Sequence, residues 1–230
     1  MIGRRALPWL AAPALAQAPL TLLSGGALEP PLHAALALWP GPPPAVTFNT
    51  APAIAARLAA GERPDVLLAP LATFTPLGIT PTTLGGVSVG VALREGAPEP
   101  GITDEASFRA AVLAADALIF NRASTGLYMD RLFARLGLTE AIAGKSVRFP
   151  DGDAVLRRVA SGQGREIGFA AVTEILLFRG RGVRLAPPLP AALGNATQYG
   201  AAALTARGRP MLDFLAGEAA RNAMRVAGLE

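Results

Sequence analysis

Leu20-Thr21-Leu22-Leu23-Ser24-Gly25-Gly26 runs without a break into an amphipathic stretch from Leu28 to Trp39. A short β-type run, a turn of small residues and a helix, in that order, form the opening of a βαβ unit. Pro30 and Pro31 fall in the first turn of the helix, where a missing N–H does least harm, and Pro40 to Pro44 ends it. The pattern then repeats. Val46-Thr47-Phe48 is a strand leading through Asn49-Thr50 to a helix from Ala53 to Ala60 that Gly61 closes, and Asp65 to Ala69 is a third strand.

Beyond a loop rich in Thr, Pro and Gly, Val87 to Leu93 is continuously apolar, as a strand buried on both faces should be. Gly96-Ala97-Pro98-Glu99-Pro100-Gly101 is a break, and the first crossing between two lobes is placed here. Next, Thr103 or Asp104 caps a helix carrying Phe108 and Val112 on one face. Strand Leu118-Ile119-Phe120 follows, and the turn Asn121-Arg122-Ala123-Ser124-Thr125 enters a helix lined by Met129, Phe133 and Leu136. Strand 146–149, helix 154–161, strand 167–171 and helix 173–178 complete the second lobe. Strands 183–186 and 198–204 come last, the latter returning the chain to the first lobe. A terminal helix over 211–227 is expected to bury Leu212, Leu215, Ala219 and Val226 on one stripe. The expected fold class is α/β with two lobes, each a mostly parallel sheet flanked by helices, joined by two crossing strands. Residues 19–86 with 192–230 make lobe one, and 87–191 make lobe two.

The chain has 230 residues, 51% of them hydrophobic, so burial of a core does not limit it. It has no cysteine and one histidine, His33, which removes thiolate metal sites, thiol nucleophiles and disulfides and leaves little for zinc or a Ser-His-Asp relay. No metal and no cofactor are expected. The formal charge is +4, but the cations are spread thinly with no basic and aromatic cluster, which argues against nucleic acid. Residues 1–18 have the three parts of a secretory signal peptide: basic Arg4-Arg5, apolar Ala6 to Ala14, and small residues at the end. Removing Arg4 and Arg5 from the 21 basic residues leaves 19 against 17 acidic ones. A periplasmic location, by the general or the twin-arginine route, and a monomeric state are expected.

Three times a strand ends in small hydroxyl residues or glycine and a helix starts at once: at Ser24-Gly25-Gly26, at Asn49-Thr50 and at 121–126. The first N–H groups of a helix lack partners and its dipole adds partial positive charge, so each turn offers donors to an anion. The same residues also cap helices for purely structural reasons.

Leu20 to Ala27, Val46 to Thr50, Leu58-Ala59-Ala60-Gly61-Glu62-Arg63-Pro64-Asp65-Val66 and Val87 to Arg94, continued by 151–175, 198–204 and Ala227-Gly228-Leu229-Glu230, resemble the periplasmic molybdate-binding-protein family of transporter solute-binding proteins. The ordered set carries the resemblance over nearly the whole mature chain. It implies a type 2 periplasmic-binding fold, a small anion as ligand and the membrane permease of an ABC transporter as partner. It also implies ligand contacts from Ser24 and Gly25, Thr50, Ser124 and Thr125, the 172–173 backbone with Thr173, and Tyr199. Arg122 departs from a neutral-donor site: a guanidinium fork in the cleft matches a planar carboxylate better than a tetrahedral oxyanion, unless it pairs with a surface acid such as Asp130. The broad family includes aconitate-isomerase-like enzymes, so a tricarboxylate isomerase is the rival reading. Its base would be Glu174, read as lying on a helix surface, or His33, read as facing away from the cleft.

Overall fold

The computed structural model describes residues 18–230, so the expected leader lies outside the described residues apart from Ala18. The first unit is strand β1 (Thr21–Gly25), a 3-10 turn over Gly26–Leu28 and helix α1 (Glu29–Leu36). Strand β2 (Ala45–Asn49), helix α2 (Ala51–Ala59) and strand β3 (Val66–Pro70) follow. Strand β4 (Thr82–Arg94) is the longest, and after it come α3 (Glu105–Ala114), β5 (Leu118–Asn121), α4 (Ser124–Arg135) and a short α5 (Thr139–Ile142). The second half continues with β6 (Ser146–Phe149), α6 (Gly152–Ala160), β7 (Ile167–Ala171), α7 (Val172–Leu177), β8 (Val183–Leu185), β9 (Ala196–Ala203), α8 (Arg209–Ala216) and α9 (Glu218–Val226).

The strands run in the order β2-β1-β3-β9-β4-β7-β5-β6, with β8 on the far part of β4. β2, β1 and β3 are parallel, as are β6, β5 and β7, and these two parallel sets are the cores of the two lobes. Antiparallel β9 and β4 stand between them. β4 changes partner in mid-course. Up to Ser88 it pairs with β9, and from Val89 on it pairs with β7 and β8. The passage between lobes therefore lies inside β4, and the 96–101 break, which follows the end of the strand, is a turn of the second lobe. β4 also begins at Thr82 in the loop-like sequence before Val87, with a register shift between Thr83 and Gly85 where the backbone of Glu230 approaches. Glu230 and Gly86 exchange both backbone hydrogen bonds, at 2.7 and 2.8 Å.

Alternation along each strand decides which helix it meets. In lobe one Leu22, Val66 and Leu68 face α1, α8 and α9, while Leu23, Leu67 and Ala69 face Ile54 and Leu58 of α2. In lobe two Leu118, Phe120 and Phe169 pack on Phe108, Met129 and Phe133 of α3 and α4. Ile119 and Ala170 pack on Val155, Leu156 and Ile175 of α6 and α7. Asp104 caps α3, its carboxylate accepting from Ser107 N at 2.7 Å. Trp39 meets Phe214 of α8 edge-on with ring centres 5.0 Å apart, and the Tyr128 hydroxyl donates to the Leu193 and Gly194 carbonyls.

The continuous terminal helix is the clearest correction. Gly217, extended at φ −70° and ψ 156°, separates α8 from α9 and resets the helical phase. Leu212 and Leu215 are buried as expected, but in α9 Ala220 and Met224 take the inner face, and Val226 is 92% exposed. Among the described residues no helix is long and apolar enough to cross a membrane.

Candidate functional site

The parallel strands of both lobes point their carboxyl ends at one crevice, where ligands of open α/β sheets bind. A cavity of about 410 Å³ opens there. Lobe one supplies Gly25, Gly26, Phe48 and Thr50 from the ends of β1 and β2. Lobe two supplies Asn121, Ser124 and Thr125 after β5, Asp151 to Asp153 after β6, and Glu174 after β7. Tyr199 of the interlobe strand β9 closes the back, its ring so near Gly25 that a Cβ there would stand 3.0 Å from Cε1.

Two helix starts in this wall are chemically free. Thr50 precedes α2 and its carbonyl accepts from Ile54 N at 2.9 Å, yet its hydroxyl makes no capping bond. At α4 the capping oxygen comes from Asn121, whose Oδ1 accepts from Ala123 N at 3.0 Å and Gly126 N at 2.9 Å. The N–H groups of Ser124 and Thr125 have no acceptor among the described residues, and neither hydroxyl caps the helix. These hydroxyls are therefore not consumed by capping, and that of Ser124 reaches across to the Tyr199 phenol. α6 is different, because the Asp151 carboxylate accepts from Ala154 N at 2.8 Å and places negative charge at that start.

Of the residues expected at the site, Gly25, Thr50, Ser124, Thr125 and Tyr199 are brought together on the cavity wall. Three are not. Ser24 is fully buried inside β1, where its hydroxyl donates to the Gly25 carbonyl at 3.3 Å. Thr173 is fully buried and donates to the Ala27 carbonyl at 2.7 Å, which ties α7 of lobe two to the first turn of lobe one. Arg122 is exposed and is absent from the wall, since the turn directs it outward. Nor does it pair with Asp130, which is bridged to Arg148.

Glu174 corrects the sequence reading most. It belongs to the wall and not to an outer helix surface, and its carboxyl lies against Gly26 and against Gly152, where only the lack of a Cβ leaves room. The signal for it was positional: it is the third residue of a helix that follows a parallel strand directly, so the first turn of that helix faces the crevice. Burial raises its pKa to about 7; the Ala171 N–H, at 3.4 Å, works downward, and the charges of Asp151, Glu29 and Asp153 work upward. Burial likewise pushes the Tyr199 phenol up, with Glu174 adding to it and a hydrogen bond with Ser124 opposing. Glu29, Asp151, Asp153 and Glu174 all line the cavity, and among the described residues none of its wall is lysine, arginine or histidine. No group of acids and histidine able to hold a metal ion occurs among the described residues. His33 is exposed on α1 and meets Phe48 edge-on, away from the cavity.

The chain is 26% identical over 195 residues to an aconitate isomerase from Pseudomonas sp, covering 79% of this chain and 73% of that protein. Its structure is similar to the periplasmic molybdate-binding protein of Azotobacter vinelandii, with a TM-score of 0.68, 16% identity, and coverage of 92% of this chain and 98% of the other. It is also similar to the sulfate-binding protein SubI from Mycobacterium tuberculosis, with a TM-score of 0.69, 14% identity, and coverage of 91% and 85%. These structural likenesses establish the type 2 periplasmic-binding fold. The sequence pattern of the bacterial extracellular solute-binding protein family matches residues 20–230. The chain belongs to the bacterial extracellular solute-binding protein family.

Proposed function

We propose that the protein is exported to the periplasm, holds a small anion in the interlobe cleft through neutral donors, and delivers it to the membrane permease of an ABC transporter. The observation that carries this reading is the pair of hydroxyl-bearing helix starts, Thr50 on one lobe and Ser124 with Thr125 on the other, whose hydroxyls make no capping bond and which line one cavity. Hydroxyls and helix-start N–H groups stabilise an anion without a metal or a lysine. With Arg122 turned outward, the guanidinium argument for a planar carboxylate falls away, and a molybdate-like or sulfate-like oxyanion that has no proton to give fits better. The relatives named for molybdate and sulfate binding agree with it. The hinge of this reading lies between Ser88 and Val89, where β4 changes partner, with β9 as the second crossing strand. Ligand shifts an open–closed equilibrium about these strands toward the closed state.

One observation favours a second reading, an isomerase acting on a tricarboxylate. Glu174 sits in the cleft with a pKa of about 7, as suits a residue that removes a proton and returns it, and the sequence likeness is to an aconitate isomerase.

A thermal-shift panel of molybdate, tungstate, sulfate, citrate and both aconitates separates the two. A ligand of the native state at a hundredfold excess over its dissociation constant raises apparent stability by about 2.7 kcal/mol. The primary reading expects the oxyanions to raise the melting temperature. Stabilisation by carboxylates alone, with proton NMR of the aconitate samples showing one isomer becoming the other, would replace it with the second.

A further inference from the structure

The four carboxyls of the cleft wall pose a problem for an anion. The Asp151 carboxylate accepts from Ala154 N at 2.8 Å, and that of Asp153 from Arg157 Nε at 2.6 Å. Glu29 lies in the first turn of α1. Glu174 has only the long contact from Ala171 N at 3.4 Å, so its neutral form gives up least. The groups facing it are Glu29 from α1, Asp151 and Asp153 from the start of α6, and the Tyr199 phenol from β9; none is a cation. A second anion arriving in this ring adds a further negative charge beside it, and that charge favours the protonated form.

Resting on the anion-binding reading above, we propose that capture of an anion in this cleft takes up one proton, and that the Glu174 carboxyl, wedged between Gly26 of one lobe and Gly152 of the other, receives it and donates a hydrogen bond to the ligand. Protonation turns the one acid at the lobe junction from a repelling acceptor into a donor. It also completes the set of neutral donors on the cavity wall, with Thr50 on lobe one and Ser124 and Thr125 on lobe two.

The free carboxyl titrates at about 7. Below that pH Glu174 is already protonated and affinity is flat. Above it each ligand bound must bring a proton, so the fall in affinity approaches about tenfold per pH unit, or about fiftyfold between pH 7 and pH 9.

The test is calorimetric titration of the full mature chain with molybdate and with sulfate, both dianions throughout, from pH 6 to pH 9 in buffers of different ionisation enthalpy. The expected result is uptake of close to one proton per anion at pH 8 to 9, with that loss of affinity. In Glu174→Gln, which keeps a donor and cannot ionise, the slope should vanish, and binding at pH 9 should be about a hundredfold tighter than in the wild type. Binding by the wild type with no proton uptake would overturn the proposal and leave the anion reading standing. A slope that persists in Glu174→Gln would assign the proton to another group and overturn it too. Failure of both anions to bind at pH 6 would bring down the anion reading and the proposal together. Where the variant folds poorly, the buffer measurement on the wild type still overturns the proposal if it shows no proton uptake.

Discussion

Replacing Gly126 by alanine is expected to lower stability by about 3 kcal/mol, the upper range for forcing extra volume into a packed site, and to weaken anion binding with it. A Cβ at this position would overlap the backbone carbonyl oxygen of Asn121. That carbonyl belongs to β5, which is fixed between β6 and β7. The strand cannot give, so α4 must. Its retreat also stretches the hydrogen bond from Gly126 N to Asn121 Oδ1, now 2.9 Å, and moves Ser124 and Thr125 away from the cavity. Urea denaturation measures the stability and titration at a permissive temperature measures the affinity. A loss below about 1 kcal/mol, under the usual range for overpacking, would mean that α4 does not bear on β5 as described.

Phe133→Ala should cost more, about 3–5 kcal/mol, as expected for a buried phenylalanine whose cavity cannot collapse. Phe133 is the hub of the second lobe. Its ring centre lies 6.2 Å from Phe108, 5.8 Å from Phe120 and 6.0 Å from Phe169. The side chain thus ties α3, α4, β5 and β7 together from a position far from the cleft. Loss of stability should come without a change in the ligand's pH dependence, because Phe133 does not line the cavity. A cost under about 2 kcal/mol would show that the three neighbouring rings close over the space.

The repeated strand, turn and helix were legible because the inner strands β3, β5 and β7 are buried on both faces and each turn is built of small, glycine or hydroxyl residues beside a helical pattern. Both signals are local. The early half of β4 was not legible, since Thr82-Thr83-Leu84-Gly85-Gly86 has the composition of a loop and becomes a strand only through pairing with β9, more than a hundred residues later. The break at Gly217 escaped notice because a single glycine is tolerated in a helix, and only packing against α1 sets the new phase of α9. At the site, Thr50, Ser124, Thr125 and Gly25 could be found from strand ends alone, while Tyr199, inside β9, came only from the family resemblance. Ser24 could not be separated from Gly25 without knowing which way the end of β1 turns. Arg122 was misplaced for the same reason, because sequence gives the order of residues in a turn and not the direction each faces. Glu174 carried a positional signal, the third place of a helix directly after a parallel strand, and the buried bond from Thr173 to Ala27 shows α7 packed across the lobe junction.

That a small anion is held in the cleft by neutral groups from both lobes is tested most directly by titrating molybdate and citrate at pH 6 into the wild type, Thr50→Ala and Ser124→Ala. One hydrogen bond to a charged group contributes about 1.5–3 kcal/mol, so each variant should bind the same anion about tenfold to a hundredfold more weakly than the wild type, with one anion bound per chain. Wild-type affinity in both variants, or no binding of either anion by the wild type, would contradict the account.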